Sequence, residues 1–318
     1  MGTPEFAVSS LARLLLDGHK VAAVFTQPDR PAGRGNKVQQ PPVKQFALLN
    51  GIPVFQPAKI KTNEEVRAVF ESIAPDACIV AAYGRILPEW LLSIPRLGCI
   101  NVHASLLPKY RGAAPINWAL ANGDSVTGVT IMKMDVGMDT GPMFARRPAE
   151  IGPDETAPDL SSRLANLGAE LLSETLPRIE RGELQPELQE GNQATYAPML
   201  KREDGLIDWS LTAVQISNRI RAFHPWPGSY TSVGVHRLIL WQAHVATDSS
   251  TVEDSDPLPA RIIGLDRAGV TVACGKSTAL HIEEMQVEGK RRLPARDVIN
   301  GLRLAVGDPL SDKCPTSC

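Results

Sequence analysis

The stretch that decides the fold is Gly98-Cys99-Ile100-Asn101-Val102-His103-Ala104-Ser105-Leu106-Leu107-Pro108. In it an apolar strand ends with two polar side chains, and a turn that contains serine and proline follows directly. Successive side chains of a strand point to opposite faces, so Asn101 and His103 share one face. An amide can donate to a developing oxyanion, and an imidazole can carry a proton near neutral pH. The pair therefore predicts a site for acyl transfer, although the same two residues could also form a plain polar strand end.

Apolar segments around this stretch predict a layered sheet. Residues 21–25, 52–55 and 77–82 are mostly apolar runs without polar alternation, which is typical of strands buried on both faces. Helices are predicted before and between them, at 4–17, 43–50 and 63–73. This alternation predicts a doubly wound, mostly parallel α/β sheet that binds its ligands beyond the carboxyl ends of the strands.

The composition changes after residue 181, which predicts a second domain. Residues 182–200 are largely polar and read as a linker. One helix at 211–223 and several short strands from around Tyr230 to Ile282 follow, which is typical of a small β-barrel. We therefore predict a sheet domain at 1–181, the linker at 182–200, a barrel at 201–310 and a tail at 311–318.

Bulk composition excludes several classes of protein. The 318 residues are 43% hydrophobic and 21% charged, as in an ordinary soluble globular protein. The formal net charge of −2 means that contact with RNA must rest on local basic patches. No membrane-spanning run or signal peptide is seen, and the five cysteines form no paired framework, so we expect a cytoplasmic protein. Neither a metal site nor a cysteine nucleophile is predicted.

The segment from Gly98 to Pro115 resembles, almost residue for residue, the signature of the folate-dependent formyltransferases. Within that family the likeness is strongest to the members that formylate methionyl-initiator tRNA, and it extends along nearly the whole chain. The resemblance implies a Rossmann-like catalytic domain followed by an OB-like β-barrel that binds tRNA. It also implies 10-formyltetrahydrofolate as the formyl-donor cosubstrate, initiator methionyl-tRNA as partner, no metal and no membrane contact. We expect a monomer.

The resemblance further implies roles for individual residues. Asn101 and His103 would hold the formyl oxygen. Spacing alone does not show whether Asp135 or Asp139, in the loop that follows residue 134, approaches His103. An aspartate beside a glycine more commonly caps a turn. The family pattern selects Asp139 as the residue beside His103. The residues that would border the folate are Arg85, Ile86, Leu87, Ser105, Leu106, Leu107 and Pro108.

Two basic segments are candidates for contact with tRNA. Residues 26–37 are rich in proline and glycine and are predicted to be irregular, and loops of this length are usually functional or mobile. The charges could simply be solvated, but the segment resembles the loop with which tRNA-specific members enter the acceptor arm. The predicted tRNA-binding residues are Arg30, Arg34 and Lys37 here, and Lys290, Arg291 and Arg292 in a second cluster.

Other functions stay open at this point. Formyltransferases that act on amino-sugar nucleotides share the catalytic strand and a C-terminal barrel, but have little use for a long cationic loop. Glycinamide ribonucleotide formyltransferases lack the second domain, and a formate-releasing hydrolase would differ in what enters the site. A non-catalytic folate- or RNA-binding protein would result from a malformed pocket. The family has a short strand before Gly2-Thr3-Pro4 that this sequence lacks, and an open slot at the sheet centre would be costly.

Overall fold

The computed structural model of the protein describes residues 1–32, 37–246 and 258–312. It divides into two compact units. Unit 1 contains residues 1–116, 125–151 and 159–198, and unit 2 contains residues 117–124, 152–158 and the chain from Met199 onward. The predicted domain boundaries stay a prediction, and residues 182–198, expected to be a linker, are counted with unit 1.

The described elements follow the predicted order closely. The helices are α1 (Glu5–Leu16), α2 (Pro42–Leu49), α3 (Glu64–Ile73), α4 (Glu89–Ser93), α5 (Pro115–Ala121), α6 (Ala157–Glu180), α7 (Ala213–Ala222) and α8 (Ala295–Gly301). The strands are β1 (Val24–Phe25), β2 (Arg30–Ala32), β3 (Lys37–Gln39), β4 (Val54–Phe55), β5 (Cys78–Val80), β6 (Cys99–His103), β7 (Arg111–Gly112), β8 (Val126–Lys133), β9 (Met143–Glu150), β10 (Tyr196–Ala197), β11 (Ser229–Val233), β12 (His236–Val245), β13 (Ile262–Leu265), β14 (Val270–Cys274), β15 (Thr278–Val287) and β16 (Arg292–Pro294). None of these helices combines the length and the apolar character needed to cross a bilayer.

The sheet of unit 1 is mostly parallel, as predicted. Strands β1 and β4 pair in parallel, and so do β5 and β6. Residues Met1 and Gly2 run between these two pairs: the Gly2 N–H donates to Phe25 O at 3.0 Å, and the Ala81 N–H donates to Met1 O at 3.0 Å. Strands β8 and β9 extend the sheet beyond β6 with antiparallel pairing. Strand β6 therefore lies inside the sheet, with a neighbour on each side.

A cavity of about 400 Å³ lies in this sheet, lined in part by residues 21–25 and 73–79. The N–H groups of Val24 and Thr26 donate toward β4, to Pro53 O and Phe55 O. Because alternate N–H groups of a strand point in opposite directions, the N–H of Phe25 points to the other side of β1. Burial at this cavity lowers the pKa of the Met1 ammonium.

The helices of unit 1 form where the sequence supplies caps and apolar stripes. In α3 the side chain of Asn63 accepts the N–H of Val66 at 3.0 Å, and Glu64 and Glu65 lie in the first turn, where the helix dipole favours acidic groups. In α6 an apolar stripe with i, i+4 spacing includes Leu160 and Leu164, which are fully buried. Packing of this stripe supports the long helix.

The basic segment differs from its predicted irregular structure. Strands β2 and β3 pair antiparallel, with Arg30 opposite Gln39 and Pro31 opposite Val38. Proline is accepted in a short two-stranded ribbon because its missing N–H is needed on only one edge. Asp29 holds the base of this hairpin: its carboxylate accepts from Gln56 at 2.7 Å and pairs with Lys44 at 2.7 Å. These two contacts lower the pKa of the Asp29 carboxyl.

Unit 2 is built on an antiparallel sheet with the strand order β11-β12-β15-β14-β13, and β16 pairs with β15. Its core contains Trp209, Ile216, Leu240 and Met285. The predicted β-rich class is confirmed, but in the described residues the strands do not close into a barrel. Ser311 bridges to Ser232 on β11, and Pro309 bridges to Arg261, just before β13. The two edges are therefore covered by a short C-terminal segment rather than paired with each other.

We expect the buried stripe of α6 to dominate the stability of unit 1. Leu172→Ala, at a fully buried position, should lower the free energy of unfolding by about 2–5 kcal/mol because it leaves a cavity. Leu16→Ala makes the same change at a side chain that is 79% exposed and should stay within about 0.5 kcal/mol. Calorimetric unfolding of the full chain measures both, and equal losses would contradict the packing described.

Candidate active site

The site is built on β6, whose residues are all buried. Asn101 is 8% exposed and His103 is 6% exposed. Alternation along the strand puts both side chains on one face, as predicted. Buried polar groups of this kind are costly unless they are hydrogen-bonded, so their partners define the site.

His103 is fixed by the backbone of Tyr110. Its Nε2 lies 3.0 Å from Tyr110 O. Because a carbonyl oxygen can only accept, Nε2 must carry a hydrogen and donate it. Tyr110 itself has a positive φ of 60°, and its N–H donates to Thr195 Oγ1 at 2.9 Å. This arrangement leaves Nδ1 as the ring nitrogen that can exchange a proton.

Asp139 supplies the carboxylate of the site. One oxygen, Oδ2, accepts the N–H of Gly112 at 2.9 Å. The other, Oδ1, lies 3.7 Å from His103 Nδ1 and 3.5 Å from Asn101 Nδ2. Asp135 is directed elsewhere, since it accepts from the Gly137 N–H at 3.0 Å and the Thr140 hydroxyl at 2.8 Å. The carboxylate beside the imidazole is therefore that of Asp139, and Asp135 caps a turn.

These groups have complementary chemistry. The Asn101 amide can donate to a developing oxyanion, His103 Nδ1 can accept or give a proton, and the Asp139 carboxylate can stabilise an imidazolium. A preorganised donor of this kind lowers the energy of a tetrahedral intermediate because it is already in place when charge develops. The arrangement fits acyl transfer without an enzyme nucleophile.

The turn after β6 is held by a residue that the sequence analysis missed. The hydroxyl of Thr130, on β8, donates to Ser105 O at 2.7 Å and accepts the Leu107 N–H at 3.1 Å. The Ser105 hydroxyl donates to Lys109 O at 2.6 Å. A polar residue in the buried middle of β8 was the available signal for Thr130.

The residues predicted to border the folate differ in how much of each side chain is exposed. Leu107 is 1% exposed and Leu87 is 3% exposed, so their side chains belong to the core. Pro108 is buried and Leu106 is half-buried, whereas Ile86 is 77% exposed. The Arg85 guanidinium donates to Gln27 Oε1 at 2.9 Å and to Ala58 O at 2.6 Å. The side chains of Ile86 and Leu106 are therefore accessible to a ligand. Leu87 and Leu107 could contact a ligand only through their backbone atoms.

Two of the described cysteines, Cys99 and Cys274, are unsuited to nucleophilic chemistry. Burial raises the pKa of Cys274 to about 12. A hydrogen bond with Cys78, together with burial, raises the pKa of Cys99. Both thiols are therefore protonated at neutral pH, and a thiol is a poor nucleophile. Within the described ranges, no three His, Cys, Asp or Glu side chains are grouped to share a metal ion.

The predicted tRNA-binding residues are only partly described. Arg30 is exposed on β2, the backbone of Lys37 lies in β3, and Arg34 lies outside the described residues. Lys290 and Arg291 are exposed. Arg292 pairs with Glu284 and lies over the ring of Trp241, with its guanidinium carbon 5.3 Å from the ring centroid. Its charge is therefore partly compensated.

Comparison with known proteins places this geometry in a family. The family described as "Formyl transferase" matches residues 1–176, and "Formyl transferase, C-terminal domain" matches residues 199–303. A methionyl-tRNA formyltransferase from Geobacter metallireducens is 51% identical over 307 residues, covering 96% of both chains. Another, from Acidobacterium capsulatum, is 51% identical over 304 residues, also covering 96% of both chains. The chain belongs to the formyl transferase family.

Solved structures share the fold at low sequence identity. A sugar 3N-formyl transferase, solved in the presence of dTDP and 5-N-formyl-THF, has a TM-score of 0.63 at 17% identity and covers 91% of this chain and 97% of its own. An N-formyltransferase from Helicobacter canadensis, in complex with folinic acid and dTDP-3-aminofucose, has a TM-score of 0.62 at 18% identity, covering 88% and 96%. These similarities show the fold alone.

The backbone at Gly112 should be essential to the site. Gly112 has a φ of +124°, and a Cβ there would lie 2.6 Å from Ala197 O. Gly112→Ala should therefore displace the N–H that holds Asp139 and lower the rate of formyl transfer by about tenfold or more, as for loss of a positioning contact. Gly18→Ala is the matched control, since Gly18 also has a positive φ, of +81°, but has no atom within 4 Å of the added Cβ.

Gly18→Ala should lose about 1–2 kcal/mol of stability through backbone strain, and Gly112→Ala should lose more because its Cβ also clashes with Ala197 O. Only Gly112→Ala should lose activity when both are assayed well below their unfolding temperatures. Wild-type activity in folded Gly112→Ala would show that this N–H does not matter.

Proposed function

We propose that the chain transfers the formyl group of 10-formyltetrahydrofolate to the α-amine of methionyl-initiator tRNA. The observation that carries the proposal is the 51% identity, over 96% of the chain, to methionyl-tRNA formyltransferases. The arrangement of Asn101, His103 and Asp139 supports it, because formyl transfer to an amine develops charge on one oxygen and moves one proton.

The reaction exchanges one C–N bond for another. The amine nitrogen attacks the formyl carbon, which gives a tetrahedral intermediate with negative charge on oxygen. The bond from this carbon to N10 of the folate then breaks, N10 gains a proton and the attacking nitrogen loses one. The products are N-formylmethionyl-tRNA and tetrahydrofolate, so no net proton is released.

Each of the three residues has a defined part in this scheme. Asn101 Nδ2 and the protonated His103 ring donate to the oxyanion. His103 Nδ1 exchanges the proton, since Nε2 is bound to Tyr110 O. Asp139 orients the ring and stabilises its charged form. The turns at 85–87 and 105–108 border the folate, with Ile86 and Leu106 packing on its pterin.

The catalytic assignment predicts a large loss of rate in three variants. Asn101→Ala, His103→Ala and Asp139→Asn should each lower kcat by about a hundred- to a thousandfold, as for the loss of an oxyanion donor or its support. Asp135→Asn, in the same loop, should keep near wild-type kcat because it acts only in a turn. Formylation of charged initiator tRNA is the assay, and binding of that tRNA should be unchanged in all four variants. A fully active variant at position 101, 103 or 139 would remove that residue from the scheme.

We also propose that two basic segments contact the phosphates of tRNA: residues 26–37, with Arg30, Arg34 and Lys37, and the cluster at Lys290, Arg291 and Arg292. Phosphate contacts by arginine and lysine fix the position of the RNA without reading its sequence. The compensated charge of Arg292 makes Lys290 and Arg291 the stronger members of the second cluster. The protein would act as a cytoplasmic monomer.

Arg34→Ala should weaken tRNA binding. It should also make the plot of log K against log salt shallower by about one unit of slope, as expected for the loss of one phosphate contact. Arg67→Ala removes an arginine that pairs with Glu71 on α3, and it should leave the slope unchanged. Filter binding of charged tRNA across a salt series measures both variants. An unchanged slope in Arg34→Ala would exclude this residue from the interface.

The nearest alternative acceptor is an amino-sugar nucleotide. The sugar formyltransferases of similar fold are only 17–18% identical to this chain. The deciding experiment supplies 10-formyltetrahydrofolate with charged initiator tRNA in one arm and with an amino-sugar nucleotide in the other. Formylation of the tRNA alone supports the proposal, and formylation of the sugar alone overturns it.

A further inference from the structure

Gln189 makes an unusually complete set of contacts for a residue in the predicted linker. Its Nε2 donates to Asp139 O at 2.8 Å and to Gly141 O at 2.7 Å. Its Oε1 accepts from Arg111 twice, from Nε at 3.0 Å and from Nη2 at 2.8 Å. A primary amide has two N–H donors and two acceptor lone pairs, so every one of its hydrogen bonds is made.

Two of these bonds hold the loop that carries the Asp139 carboxylate. Asp139 has a positive φ of 53°, a conformation that non-glycine residues keep only when their surroundings enforce it. The side chain of Gln189 fixes the carbonyls on both sides of Thr140. Beside it, Met143 and Glu187 exchange backbone hydrogen bonds, both at 2.8 Å. Residues 187–189 therefore fasten the end of this loop.

The other two bonds hold β7, which carries the N–H that binds the same carboxylate. Arg111 is 7% exposed, and in the described part of the chain its guanidinium pairs with no carboxylate. Gln189 Oε1 satisfies this buried cation, and Gly112, the next residue, donates to Asp139 Oδ2. The amide of Gln189 thus links the loop that carries Asp139 to strand β7. These two segments together direct the Asp139 carboxylate toward His103.

We infer that Gln189 is a positioning residue for catalysis, acting through Asp139. This inference rests on the proposed function for its kinetic test, but its structural claim concerns only how Asp139 is directed toward His103. A merely stabilising residue would lower the unfolding temperature without altering how His103 is held.

Gln189→Glu is the informative variant. A glutamate can still accept from Arg111, but it cannot donate to the carbonyls of Asp139 and Gly141, and its charge would face both oxygens. We expect kcat to fall by about 10- to 100-fold, as for a small misplacement of a catalytic group. Michaelis constants for folate and tRNA should change little. If Gln189→Glu does not fold, Gln189→Met, which is uncharged and similar in length, removes both the donor to the two carbonyls and the acceptor for Arg111, and it should lower kcat at least as much.

Gln193 offers a matched control in the same segment. It is exposed, and its Nε2 donates to Glu190 Oε2 at 2.5 Å. Gln193→Glu and Gln193→Met should therefore keep wild-type kcat. A comparable loss at both positions would mean that the segment as a whole, rather than Gln189, matters, and would overturn the inference.

A double variant separates positioning from independent effects. If Gln189 acts through Asp139, then adding Gln189→Glu to Asp139→Asn should lower kcat by less than about threefold further, because residues that act as a unit are not additive. Losses that multiply would overturn the inference.

A spectroscopic readout is independent of activity. The imidazole NMR signals of His103, assigned with His103→Asn, should shift in Gln189→Glu and stay in place in Gln193→Glu. Unmoved His103 signals would overturn the positioning role. Wild-type protein that formylates no tRNA would instead overturn the proposed function, so the two failures are distinguishable.

Discussion

The site depends on one backbone N–H, that of Gly112, which holds the Asp139 carboxylate at 2.9 Å. The approach is possible because Gly112 lies against the backbone of Ala197, with a φ of +124° and no room for a side chain. Because this N–H binds Oδ2 of Asp139, the other carboxylate oxygen, Oδ1, faces Asn101 and His103. Without this hydrogen bond, three polar side chains would share a buried surface with no fixed relation to one another.

Hydrogen-bond partners from neighbouring segments stabilise the polar side chains of the buried strand β6. Strand β6 is buried along its whole length, yet it ends in an amide and an imidazole. Isolated polar groups at such depth would cost several kcal/mol, on the order of 1–3 for each unpaired group. The Tyr110 carbonyl and the Asp139 carboxylate supply the missing partners. The same contacts that keep the fold stable therefore also set which ring nitrogen faces the reaction.

Local sequence signals predicted much of this structure. Cap and apolar patterns placed α1 and α3 to within about two residues, and strand alternation put Asn101 and His103 on one face. Non-local pairing was beyond such signals. The pairing of Arg30–Ala32 with Lys37–Gln39 was missed because proline and glycine content describes the chain locally and not its cross-strand partner. Likewise, spacing could not choose Asp139 over Asp135, nor show that Gln189 reaches the site, since both depend on how distant segments meet.

The position of residues 182–198 has a practical consequence. They follow α6 and look dispensable, yet β10 pairs with β7 within unit 1, at Tyr196–Arg111 and Ala197–Gly112. An excised N-terminal fragment that stops at residue 181 would leave β7 without its partner and the Gly112 contact unmade. A fragment that keeps the β7–β10 pairing therefore has to extend at least to Ala197, close to Pro198, where the first compact unit ends.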